Sequence, residues 1–142
     1  MNVTLFSLAQ RYVGIQEIVG ANDHPLVQWW LSLCGFPTDV HDEVAWCSAF
    51  VNGIAWELRL PRSKSAAARS WLSVGIPVTQ NDAVVGYDVA VFSRGDNPAQ
   101  GHVGIFAGLQ RDYIQILGGN QANAVCIEAF TTDRLLGIRR LA

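Results

Sequence analysis

The chain has 142 residues, half of them apolar, with 15% charged and a formal net charge of -2. That is enough apolar material for one continuous core, and a single domain over residues 1–142 with no separate second module is expected. The charge excludes the broad basic field that would hold nucleic acid or an anionic membrane. The apolar stretches are broken by Asp, Gly, Gln or Arg before the ~18 residues a membrane-spanning helix needs, so no stable membrane insertion is expected. Met1 to Val13 lacks a basic start, an apolar block and a small-residue cleavage site, which predicts synthesis in the cytoplasm without a signal peptide.

In chain order, the amino-terminal half reads as helices, because its apolar residues recur at three and four. Leu5, Leu8, Ala9 and Tyr12 form one face. A second helix opens at Pro25, carries Leu26, Trp29, Trp30 and Leu33, and stops at Gly35 before a loop running to His41. A third begins at Trp46 or Cys47, continues through Phe50, Val51, Ile54, Ala55 and Leu58, and ends before Pro61. A fourth is predicted over Ala66 to Val74, capped by Ser65 and closed by Gly75-Ile76-Pro77.

After Pro77 the pattern changes to short β-rich runs separated by turn residues, the mark of an antiparallel sheet. The runs are Asp88 to Ser93, His102 to Gly108, Tyr113 to Leu117, Ala124 to Phe130 and Leu135 to Arg140. Turns are predicted at Gly95 to Pro98, Gln110 to Asp112 and Gly118 to Asn120. The fold class is therefore α+β, amino-terminal helices on a sheet of about five strands.

Cys34, Cys47 and Cys126 are three widely spaced thiols that form neither a disulfide framework nor a C-x-x-C pair. The histidines and thiols offer no short ligand pair, so neither a metal nor another cofactor is expected. Cys47 is different in placement. A thiol in the first turn of a helix faces unpaired N–H groups and the positive end of the helix dipole, both of which favour the thiolate. The competing reading is a small core residue on an apolar stripe. Cys34, at a helix end, and Cys126, mid-strand, read as inert.

His102 follows Gly101 and opens the run His102 to Phe106, at a sheet end where a helix N-terminus can pack against it. It is a candidate base, or a satisfied structural histidine. Asn120 ends the next strand; if the two strands form a hairpin it lies beside His102 and can orient the ring, and otherwise it is a turn residue. His41 reads as a solvated loop residue, and His24 as part of a helix entry.

Three blocks, Ala45-Trp46-Cys47-Ser48-Ala49-Phe50-Val51-Asn52, Asp88 to Phe92 leading to Gly101-His102-Val103-Gly104, and Leu117-Gly118-Gly119-Asn120-Gln121, resemble those of the papain-like amidase superfamily. Within it the chain is similar to CHAP and NlpC-type domains, and most to compact phage and bacterial CHAP-like proteins. Ala67 to Leu72 and Leu135 to Gly137 extend the likeness over nearly the whole chain. The resemblance implies a papain-like fold and a Cys47–His102 pair with Asn120 as polar third member. It also implies cleavage of an amide bond in peptidoglycan, by a monomer acting on the cell wall, with Trp46 and Gly101 at the substrate. Phage lysis is the simplest setting. An exported antibacterial effector, a wall-turnover enzyme, a thiol peptidase or acyltransferase on protein, and a non-catalytic wall-binding domain are the alternatives.

One departure is Trp46, which stands where NlpC-type domains usually carry an acidic residue, so their specificity for one stem-peptide bond does not carry over. Asp42 and Glu43 lie just upstream and oppose thiolate formation unless they face substrate. They are expected to bind a cationic group, such as the free amine of a stem-peptide diamino acid.

Overall fold

The computed structural model describes residues 3–16, 24–36 and 45–141. Three α-helices come first: α1 (Leu5–Gln10), α2 (Pro25–Ser32) and α3 (Cys47–Glu57). Thr4 starts α1 with a reciprocal cap, its Oγ accepting the Ser7 N–H at 3.1 Å while Ser7 Oγ accepts the Thr4 N–H at 2.8 Å. Pro25 opens α2 as the sequence predicts, and His24 Nδ1 accepts the Leu26 N–H in the cap before it. The predicted fourth α-helix is instead a six-residue 3-10 turn, Ala68–Ser73. One buried anchor, Trp71, with Ala68 leaves the segment too little apolar surface to hold a longer helix against the core.

Six strands form one antiparallel sheet in the order β1-β6-β2-β3-β4-β5, with β1 Ile76–Val78, β2 Asp88–Ser93, β3 Gly101–Gln110, β4 Tyr113–Gln121, β5 Ala124–Thr131 and β6 Leu135–Arg140. The fold is α+β with the papain-like arrangement expected. Its sixth strand, β1, is Ile76–Val78, where the sequence reading has only the close of a helix. It pairs with the carboxy-terminal strand, Pro77 opposite Arg139. The predicted turn at Gly118 to Asn120 is also displaced. β4 continues to Gln121, and the chain reverses through Ala122 and Asn123, both at positive φ.

Alternate strand residues face opposite sides of the sheet. Val89, Val91, Val103, Ile105 and Leu117 pack under the helices with Trp30, Trp46, Phe50 and Ile54. Ala90, Phe92, Phe106, Ile114, Ile116 and Ile138 form a second core on the other face, with Phe130 against it. Every residue of α3 from Cys47 to Ala55 is buried. Each large side chain in that run contributes roughly 1.5–3 kcal/mol by leaving water, which fixes the helix and hence its first residue against the sheet.

Candidate active site

Cys47 is the first residue of α3, and Trp46 before it makes no side-chain cap. The first N–H groups of the helix have no intrahelical acceptor; those of Cys47 and Ser48 are turned on the Cys47 sulfur instead. A third N–H on the sulfur comes from Val103, the residue after His102 on β3. The helix start thus meets the sheet where β3 and β4 part, since their pairing toward this end closes at Ile105 opposite Leu117.

Two glycines of β4 make that approach possible. A Cβ on Gly119 would lie 2.7 Å from both Phe50 Cβ and the Trp46 ring. A Cβ on Gly118 would lie 2.4 Å from Gln121 Oε1 and 3.3 Å from His102 Nε2. The start of α3 and the His102 ring are therefore brought to one dipeptide, from opposite faces of the strand.

His102 is 1% exposed. Phe130 lies flat against its ring, centroids 4.9 Å apart and planes at 17°. Gln121 Oε1 is 2.8 Å from His102 Nε2. The Gln121 amide is itself oriented, because its Nε2 donates to the carbonyls of Cys126 at 2.8 Å and Ile116 at 3.3 Å. With the amide N–H groups committed there, Oε1 is the acceptor and His102 Nε2 must carry the proton. Nδ1 is then the basic nitrogen, and it is buried with no hydrogen-bond partner among the described residues, sulfur included.

Burial holds both groups neutral. It lowers His102 to about 4, an effect that the Gln121 bond opposes and that Arg94 and Arg134 reinforce. Burial likewise pushes the Cys47 thiol up, against the three N–H groups and Arg94. The thiolate expected from helix position is overridden by desolvation at a site 6% exposed. The resting pair is a thiol and a neutral imidazole. The other two thiols are differently held: burial pushes Cys34 up to about 11, and Cys126 Sγ donates to the Gln121 carbonyl.

Cys47 opens on a groove of about 200 Å³ between the loop at Ala66 to Ala68 and the base of the β2–β3 hairpin, where Arg94, Gln100 and Gly101 lie. A larger hollow, about 770 Å³ beside Trp56, Arg59 and Arg62, sits at the opposite end of α3 and contains neither Cys47 nor His102.

A CHAP domain model matches residues 39–120, more than half of the chain, spanning Cys47, His102 and Asn120. The chain belongs to the CHAP domain family. This is a family of cysteine hydrolases that act on peptidoglycan. Among solved structures the CHAP fold here resembles NlpC1 from Trichomonas vaginalis, at TM-score 0.58 and 18% identity, over 96% of this chain and 42% of that one. The chain thus spans less than half of that protein. No curated protein matches.

The rest of the CHAP signature in this chain is distributed between chemistry and scaffolding. Trp46, expected at the substrate, is completely buried and stacks on Trp30 at 5.9 Å, so its side chain cannot touch one. Gly101 does line the groove. Asn120 is half-buried at φ 57, and the side chain on the His102 ring is that of its neighbour Gln121. The register shift between Gly118 and Gln121 is what exchanges them. His41, Asp42 and Glu43 lie outside the described residues.

Ser48 and Asn52 hold a wall of the groove. Ser48 Oγ donates to the Ser65 carbonyl at 2.6 Å and accepts Trp71 Nε1–H at 2.9 Å. Asn52 accepts the Lys64 N–H at 2.9 Å and donates to the Ser48 carbonyl. Asp88, buried, takes Arg140 through two bonds of 2.8 and 2.9 Å and fixes the β2–β6 ends. Gln121 was visible in the sequence as the residue after Gly-Gly-Asn, but only the bulge reveals that it turns inward.

Proposed function

We propose that this chain hydrolyses an amide bond of peptidoglycan, as an endopeptidase or N-acetylmuramoyl-L-alanine amidase, with Cys47 as nucleophile, His102 as base and Gln121 holding the ring. The observation that carries the reading is a buried Nδ1 with no partner among the described residues, on the histidine next to Val103, whose N–H meets the sulfur of a groove-facing thiol at a helix start. In the first step Nδ1 takes the thiol proton as sulfur attacks the scissile carbonyl carbon. The backbone N–H of Cys47, and that of Ser48 beside it, face the developing oxyanion once sulfur has moved toward the carbon.

The C–N bond then breaks, and Nδ1 returns its proton to the leaving amine. A low imidazolium pKa makes it a strong acid at that point. Water, deprotonated by the same nitrogen, hydrolyses the thioester and restores the thiol. The setting proposed is phage lysis of the host wall; a holin gene beside this one supports it, and an immunity gene overturns it.

The test is mass spectrometry of fragments released from purified peptidoglycan by the wild type and by Cys47→Ala. New amine and carboxyl ends appear only with the wild type, and their positions name the bond. Equal release by both proteins overturns the thiol mechanism.

A further inference from the structure

Three guanidinium groups surround the β2–β3 hairpin that borders the groove, and two of them are committed to backbone. Arg69 Nε donates to the Gln100 carbonyl at 2.8 Å and its Nη2 to that of Asn97 at 3.4 Å. Arg134 gives Nε and Nη2 to the Ser93 carbonyl at 3.1 and 2.8 Å, and its guanidinium lies over Phe130. These clamps fix both sides of the hairpin base. Arg94, next to Ser93 at the end of β2, is exposed and has neither a hydrogen bond nor an ion pair among the described residues.

Arg94 is also the charge of the groove. Around Cys47 the other described lining residues are alanines, Gln100 and Gly101, so that among the described residues of the groove Arg94 is the one that carries a charge. Its field reaches both the sulfur and the His102 ring. A guanidinium with no acceptor among the described residues presents a planar fork that fits a carboxylate.

We propose that Arg94 is a specificity residue that binds a free carboxylate of the substrate within reach of the bond attacked by Cys47. This deepens the reading above and rests on Cys47 as nucleophile. It assigns the groove wall an anionic group of the stem peptide, where the sequence alone pointed only to a cationic one at Asp42 and Glu43.

The test uses the thiol itself, so it does not depend on knowing the wall bond. Iodoacetate and iodoacetamide both alkylate a cysteine, sulfur displacing iodide, but only the former carries a carboxylate. Rate constants at Cys47, Cys34 and Cys126 are read separately by peptide mass spectrometry for the wild type, Arg94→Gln and Arg94→Lys. We expect the iodoacetate to iodoacetamide ratio at Cys47 to fall about three- to fivefold in Arg94→Gln, the upper range for one partly exposed charge pair. It should recover in part in Arg94→Lys, and fall in the wild type as salt rises. The ratios at Cys34 and Cys126 should not move. An unchanged ratio at Cys47, or no alkylation there by either reagent, overturns the proposal. Failure of the peptidoglycan reading has a different signature: a shifted ratio, with walls left uncut by the wild type.

Discussion

The Gln121 amide oxygen sits 2.8 Å from His102 Nε2, over a glycine whose missing Cβ leaves it the space. That pair sets the tautomer of the ring and leaves Nδ1 as the nitrogen able to accept a proton. Removing the amide frees the ring to turn and to exchange tautomers.

Gln121→Ala should therefore lower kcat by on the order of tenfold to a hundredfold, part of what a positioned base supplies, with KM little changed. Gly118→Ala should reproduce the loss with residue 121 itself unchanged, because the new methyl displaces the flexible end of the Gln121 side chain. Steady-state release of wall fragments, with circular dichroism to confirm folding, measures both. Full activity in Gly118→Ala would show that the amide does not hold the base.

Asn120→Gly offers the contrast. The residue sits at φ 57, which glycine adopts freely, so the backbone is kept while the side chain is lost. Activity should stay within about threefold of the wild type, since loss of one hydrogen bond not made to the ring shifts nothing the base needs. A loss equal to that of Gln121→Ala would return the orienting role to Asn120.

Acid should destabilise the protein through His102. Its folded pKa, about 4, lies below the ordinary 6.5, so between those values the unfolded chain binds the proton first. The contribution is intact above pH 6.5, declines as pH falls, and is fully lost below pH 4, a total of about 3 kcal/mol. Urea unfolding at pH 7, 5.5 and 4 should show that slope in the wild type and a shallower one in His102→Gln. By the same shift, kcat/KM should persist to well below pH 6 before its acid limb appears.

Ser48→Ala leaves the indole N–H of Trp71 and the Ser65 carbonyl without their shared partner. A buried donor so stranded costs about 1–3 kcal/mol. The expected result is a melting temperature lower by several degrees, with Cys47 still present but the Ala66 to Ala68 wall of its groove loosened. An unchanged melting temperature would mean that the hydroxyl does not tie the loop to α3.

Much of this was legible from residue order. The start of α3 followed from the apolar stripe that runs from Cys47 through Ala55, and β2 and β6 from β-rich runs between turn residues, because burial of one face leaves a periodic trace. The strand β1 left none. Three residues with a proline in the middle carry too short a pattern, and they become a strand only because β6 lies alongside. Gly118-Gly119 misled for a related reason. Glycine serves both turns and close approach, and here what approaches is Trp46 on one side and Gln121 on the other.

Residue types and their order were sufficient to nominate Cys47 and His102, since a helix-start thiol and a strand-start histidine are local features of the chain. Folding alone decided the ionisation of the two groups, the exchange of Asn120 for Gln121 at the ring, the burial of Trp46 and the exposure of Arg94 at the groove. Each depends on how much water is removed and on which distant atoms arrive first, quantities that arise between elements and have no counterpart within one.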